Sequence, residues 1–222
     1  MAASGCGQSA TEASHVVVPT EPNAVRRTYA LLAGIPQHGE TLGDPKAPVT
    51  LQFFGDLQCK ESRQVMLGAL PYLIRRFVRT GELKIRYRSM ETDTHGAGGW
   101  FEFRAQQGAA LAAGKQGKLW NFVDVFYRDQ GPEFTGYVDE PFLNRIAVKA
   151  GVNLDAWSQA RNPPERWTAQ IEADEDLHKA ENLDSTPSFL IGPSGGRARP
   201  LRHFGLEEPQ VFEEAVERIL KS

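Results

Sequence analysis

Cysteine is almost absent: Cys6 and Cys59 are the only two among 222 residues. A small secreted scaffold stapled by disulfides needs many more, so each cysteine is read on its own. No stretch approaches the run of about 18 apolar residues that spans a bilayer. Neither sign of charge dominates, with 25 Lys and Arg against 28 Asp and Glu and a net charge of −3. The basic runs Arg75-Arg76 and Arg197 to Arg202 are too short to make the clustered basic face that nucleic acid requires, so no nucleic-acid partner is expected. The five histidines, at 15, 38, 95, 178 and 203, lack His-x-x-x-His spacing, which argues against a zinc site. What remains is the composition of an ordinary soluble globular protein, 41% hydrophobic and 24% charged. Its length suits one good-sized domain, or a domain carrying a smaller insertion.

Residues 1–24 are Ser, Thr, Ala, Gly, Glu and Pro with little periodicity and read as a flexible leader. A short helix is expected over 25–33. The turn-rich segment 43–48 then leads into Val49-Thr50-Leu51-Gln52-Phe53-Phe54, a buried central strand by its β-branched and aromatic content. A helix is expected from Cys59, with Val65, Leu67, Leu70, Leu73, Ile74 and Phe77 as its apolar stripe and a kink at Pro71. Leu83 to Arg88 alternates as a second strand, completing a strand–helix–strand unit with parallel strands. Helical patterns follow over 100–113, 119–128, 141–150, 154–161 and 164–182, punctuated by Gly114, Gly131-Pro132 and Gly151. Strands return at 188–191 and 200–204 around a glycine-rich hairpin at 192–196, and an amphipathic helix closes the chain over 209–220. Strands at both ends with helices between them indicate one sheet interrupted by an insertion. The expected divisions are a leader, 1–24, a first part of the sheet domain, 25–92, an inserted helical domain, 93–170, and a second part of the sheet domain, 171–222.

Two motifs carry a resemblance. Phe53-Phe54-Gly55-Asp56-Leu57-Gln58-Cys59 looks like the strand and active-site approach of the DsbA-like thioredoxin family, and Ser185-Thr186-Pro187-Ser188-Phe189 is similar to that family's cis-proline loop. The helical insertion and the closing β-β-α match as well, so the resemblance covers roughly residues 35–220. It implies an α/β thioredoxin fold with an inserted helical domain and thiol–disulfide oxidoreductase chemistry. It also implies a cis peptide before Pro187, with the backbone at Thr186 pairing with an extended client peptide.

A thiol at a helix N-terminus sits near unpaired N–H groups and the positive end of the dipole, which stabilise a thiolate. Cys59 holds that position. Lys60 adds positive charge, Glu61 opposes it, and the Ser62 hydroxyl can donate to the sulfur, so a well-populated thiolate is expected. Lys60, Glu61, Thr186 and Pro187 are the expected client-contacting residues, and Asp56 either orients the approach loop or transfers a proton. The departure from the family pattern is Ser62, which stands where Cys-x-x-Cys has its second thiol. An exchange enzyme attacks with the first thiolate and clears the mixed disulfide with the second; serine cannot do so. The first expectation is therefore exchange through one nucleophilic cysteine, isomerase- or deglutathionylation-like, with a cysteine-containing peptide or protein or a low-molecular-weight thiol as partner. No cofactor is expected beyond glutathione as a co-substrate. The alternatives are a redox-silent binding module and a glutathione-dependent enzyme resembling the kappa-class transferases.

Other signals in the sequence are weaker. A serine nucleophile in the glycine-rich turn 192–196 lacks His and Asp partners in order, and the glycines at 96, 98 and 99 do not have dinucleotide-loop spacing. A Cys–His hydrolase pairing Cys59 with His95 is a minor rival. Ala3-Ser4-Gly5 before Cys6 resembles the end of a bacterial lipoprotein signal, without the charged and apolar parts of one. On that reading Cys6 is lipidated, the protein is extracytoplasmic in a bacterial envelope, and its membrane contact is the lipid anchor alone; an incidental cysteine in the leader is the other reading.

Overall fold

A computed structural model describes residues 22–222; Cys6 and most of the leader lie outside the described residues. The chain begins with helix α1 (Pro22–Leu32), followed by two short strands, β1 (Gln37–His38) and β2 (Thr41–Leu42). Next come β3 (Val49–Gly55), α2 (Lys60–Leu67), α3 (Ala69–Leu73) and β4 (Leu83–Ser89). Five α-helices and a 3-10 turn over Pro164–Trp167 separate β4 from the next strand: α4 (Gly99–Gly114), α5 (Leu119–Asp129), α6 (Glu140–Ala150), α7 (Leu154–Arg161) and α8 (Thr168–Ala180). The chain closes with β5 (Ser188–Pro193), β6 (Arg199–Pro200) and α9 (Gln210–Leu220).

The strands form one sheet in the order β1-β2-β4-β3-β5-β6. β3 and β4 pair in parallel from Val49↔Leu83 to Gly55↔Ser89, and β5 runs antiparallel to β3 on its other side. Alternation decides which residues go inside. Val49, Leu51 and Phe53 of β3, with Leu83, Ile85 and Tyr87 of β4, enter the main core beneath Val65, Met66, Leu70 and Phe212. Phe53 stacks on Phe189 with centroids 5.2 Å apart, and Phe189 meets Phe212 edge-on at 4.9 Å, locking α9 to the centre of the sheet. On the opposite face a smaller cluster of Phe54, Met90, Leu183 and Leu190 packs beneath Leu177 of α8.

Three local expectations change. The helix from Cys59 breaks at Gly68, ahead of Pro71, and ends in a π-helical turn over Ile74–Val78. Pro71 can neither bond nor sterically tolerate the carbonyl four residues earlier, that of Leu67, so continuity fails there. At the break the chain has Gly68, where a Cβ would lie 2.8 Å from the Glu207 backbone. The strand expected at 200–204 is reduced to Arg199–Pro200: Pro200 has no N–H to extend a ladder, and His203 has φ of 57°. The hairpin of β1 and β2 was not expected, since two-residue strands carry no periodicity. Its turn residue Gly39 has φ of 55°.

Candidate active site around Cys59

The C-terminal end of β3 delivers Gly55-Asp56-Leu57-Gln58 into the interior, and all four residues are buried. The Asp56 carboxylate, fully buried, gathers this loop. Its Oδ1 accepts from Gln58 N at 3.0 Å and Gln106 Nε2 at 2.9 Å. Its Oδ2 accepts from Thr92 N and Thr92 Oγ1, both at 3.0 Å, and lies 2.8 Å from His95 Nε2. These donors come from three segments, so one carboxylate ties the approach loop to the loop after β4 and to α4. The backbone is held as well: Tyr127 Oη donates to Asp56 O at 3.0 Å, and Gln130 Nε2 donates to Leu57 O at 2.8 Å and Cys59 O at 3.1 Å.

Cys59 is the N-cap of α2, with φ −72° and ψ 124°, so its sulfur accepts from Ser62 N at 3.5 Å. The sulfur is only 3% exposed as a residue and sits 3.4 Å from the Thr186 carbonyl oxygen and 3.4 Å from Glu61 Oε2. The peptide between Thr186 and Pro187 is cis, and both residues are buried. The fold thus brings Asp56, Cys59, Lys60, Glu61, Ser62, Thr186 and Pro187 into one place.

The electrostatics differ from the sequence expectation. Burial pushes the Cys59 thiol above its ordinary value; the hydroxyls of Thr186 and Ser62 and the Ser62 amide pull it back part of the way, and Glu61 pushes it up again. Helix position alone suggested an activated thiolate, and the missing consideration was desolvation. A carbonyl and a carboxylate placed to accept from S–H favour the protonated form. The hydroxyl oxygens of Ser62 and Thr186 are buried without a hydrogen bond of normal geometry. Lys60 does not offset this, because its Nζ is drawn toward two carboxylates, Glu61 Oε1 at 3.7 Å and Glu133 Oε2 at 3.5 Å.

Glu133, Tyr127, Gln130 and His95 are the site residues that sequence reasoning missed or set aside. Glu133 Oε1 accepts from Lys60 N at 3.0 Å, so a carboxylate from the helical insertion caps the first amide of α2. Ligand atoms of Cys59, Glu61 and Glu133 lie within 4.8 Å of one another, and the cation this structure sets between the two carboxylates is Lys60. His95 has both ring nitrogens engaged away from the sulfur, with Asp56 and at 2.7 Å with Gln58 Nε2. The Cys–His pairing is therefore not formed. Burial lowers the His95 pKa, but the hydrogen bond and charge of Asp56, with Glu102 and Glu91, outweigh it and leave the imidazole raised. A protonated ring donates from both nitrogens. Turning the Gln58 amide over presents Oε1, otherwise buried without a partner, to Nδ1. The position of His95 after a strand was the available signal; its partner Asp56 lies 39 residues away.

With fold and site in view, the comparisons with known proteins agree. A family model described as thioredoxin matches residues 37–197. The chain is 25% identical over 156 residues to disulfide bond formation protein D of Bacillus subtilis; the match covers 68% of this chain and 66%, just under two thirds, of that relative. Among solved structures, oxidised BdbD from Bacillus subtilis superposes with a TM-score of 0.69 at 18% identity, covering 85% of this chain and 98% of that one. Wolbachia pipientis alpha-DsbA1 does so with a TM-score of 0.66 at 20% identity, covering 86% and 92%. The chain belongs to the thioredoxin family, and its fold is that of the DsbA-type structures on which it superposes.

Proposed function

We propose that this protein carries out thiol–disulfide exchange through Cys59 alone. The observation that carries the reading is the placement of the Cys59 sulfur at the N-terminus of α2, 3.4 Å from the carbonyl that precedes cis-Pro187. The curated relative, named for disulfide bond formation, supports the class of chemistry. In the first step the Cys59 thiolate attacks one sulfur of a client or glutathione disulfide. The S–S bond breaks, the other sulfur leaves as a thiolate and takes up a proton, and Cys59 holds a mixed disulfide. Ser62 cannot attack that bond, so a thiolate from outside, glutathione or a second thiol of the client, displaces Cys59 and leaves with the new disulfide. Cys59 ends as it began, which suits isomerisation or deglutathionylation rather than net dithiol oxidation. Thr186 and Pro187 provide the backbone edge for an extended cysteine-bearing peptide, and Lys60 and Glu61 border it.

The compartment that fits is extracytoplasmic, in a bacterial envelope, with Cys6 as the residue for a lipid anchor. No described helix is long and apolar enough to cross a membrane. A second reading draws support from the buried, raised thiol: the same face grips a partner without turnover. Incubating the Cys6→Ser protein with oxidised glutathione or a cysteine-bearing peptide disulfide, and weighing the intact protein, separates the two. Exchange requires a native-state adduct on Cys59; an adduct formed only after unfolding leaves the binding module.

A further inference from the structure

On the open face of the sheet, away from the main core, three side chains of β4 point the same way. Lys84, Arg86 and Arg88 alternate with the buried Leu83, Ile85 and Tyr87, so neighbouring cations stand about 6.5 Å apart along the strand. Like charges along one strand face oppose one another unless something neutralises them. Arg88 is neutralised: its Nη1 pairs with Asp174 Oδ1 at 2.7 Å and its Nε donates to Gln52 Oε1 at 2.9 Å. Arg86 is held more loosely. Its Nη2 stands 3.9 Å from Glu40 Oε2, the other oxygen of Glu40 accepts from Gln170, and no guanidinium donor of Arg86 makes a hydrogen bond among the described residues. Among the described residues Lys84 meets only a carbonyl, Pro45 O at 2.6 Å. The three cations line a concave space of about 330 Å³ with Thr41, Thr50 and Gln52, and no acidic residue among the described ones lines it. The pairing registers Thr41↔Arg86, Thr50↔Lys84 and Gln52↔Arg86 put these groups on one surface.

We propose that this groove binds an oxyanion of the phosphate class. A tetrahedral anion offers acceptors to several converging donors, and the planar guanidinium of Arg86, which makes no hydrogen bond among the described residues, presents paired N–H groups to it. Lys84 supplies a second charge, and the hydroxyls and the Gln52 amide edge the site. A protein of net charge −3 has no general attraction for anions, so the local cluster sets the affinity. The chemistry is that of a free phosphate or diphosphate or of an anionic phospholipid headgroup. The site is separate from Cys59 and does not depend on the exchange reading.

The test titrates the full chain with inorganic diphosphate by calorimetry at low salt, and separately with vesicles of phosphatidylcholine alone or mixed with phosphatidylglycerol. The expected result is saturable binding in at least one arm, weakened about tenfold or more by Arg86→Gln and by Lys84→Gln, and unchanged by Arg145→Gln in the helical insertion. Diphosphate binding identifies a soluble anion; binding confined to the phosphatidylglycerol vesicles identifies the headgroup. No binding in either arm, or equal loss with Arg145→Gln, overturns the site. Alkylation of Cys59 in Arg86→Gln should match the wild type, which keeps this result distinct from any failure of the exchange chemistry.

Discussion

Replacing Glu61 with glutamine should make Cys59 more reactive, and the size of the effect follows from the geometry. Glu61 Oε2 is 3.4 Å from the sulfur, where it accepts from the thiol and repels the thiolate. Its side chain is 42% exposed although the sulfur is buried, so a water-like dielectric sets the lower limit of the effect. Two unit charges at that separation then repel by about 1.2 kcal/mol, which corresponds to about eightfold more thiolate at any pH below the thiol's midpoint. The thiolate so gained is less basic, and a Brønsted slope of about 0.4–0.5 returns roughly 2.5-fold of the gain. Alkylation by iodoacetamide near neutral pH, in a Cys6→Ser background, should therefore accelerate about threefold, with the midpoint of the rate–pH curve moved to lower pH. Raising the salt should shrink the difference between the two proteins, because part of this repulsion is screened. A rate that falls, or a midpoint that does not move, would refute the view that Glu61 and burial together hold the thiol protonated.

Other perturbations follow from the same contacts. Asp56→Asn removes the acceptor shared by the loops around the site and should cost about 3 kcal/mol or more in urea unfolding, since it leaves several buried donors unmatched. The His95 imidazole is raised in the folded protein, so its contribution to stability is complete below about pH 6.5 and is lost as the pH rises through the folded value. Unfolding free energies of wild type and His95→Gln should converge as the pH rises through that range; a constant gap would count against it. Gly68→Ala should destabilise by roughly 1–3 kcal/mol because the new Cβ meets backbone at Glu207, a cost thermal unfolding would reveal.

The central strand, the parallel unit around it and the order of the helices were legible because each rests on a long periodic pattern. Leu51 and Phe53 alternate with Thr50 and Gln52, and the structure buries the first pair more deeply than the second. The break at Gly68 was not legible, since Pro71 announces a disturbance without fixing its place, and the close approach of Glu207 to Gly68 comes from a distant segment. At the site, the two motifs located Cys59 and Pro187 through their order along the chain. Neither could show that Glu133, 73 residues beyond Lys60, would cap the same helix. The thiolate expectation failed for a related reason. A helix N-terminus is a local feature and can be read from sequence, whereas the desolvation of the sulfur is made by segments as remote as Thr186.

The most direct test is intact mass spectrometry of the native Cys6→Ser protein after exposure to oxidised glutathione, with Cys59→Ser in the same background as control. The account predicts one glutathione adduct on Cys59 that persists until an external thiol is added and is then released in full. No adduct on the folded protein, or an adduct lost without any added thiol, would contradict exchange through a single, externally resolved cysteine.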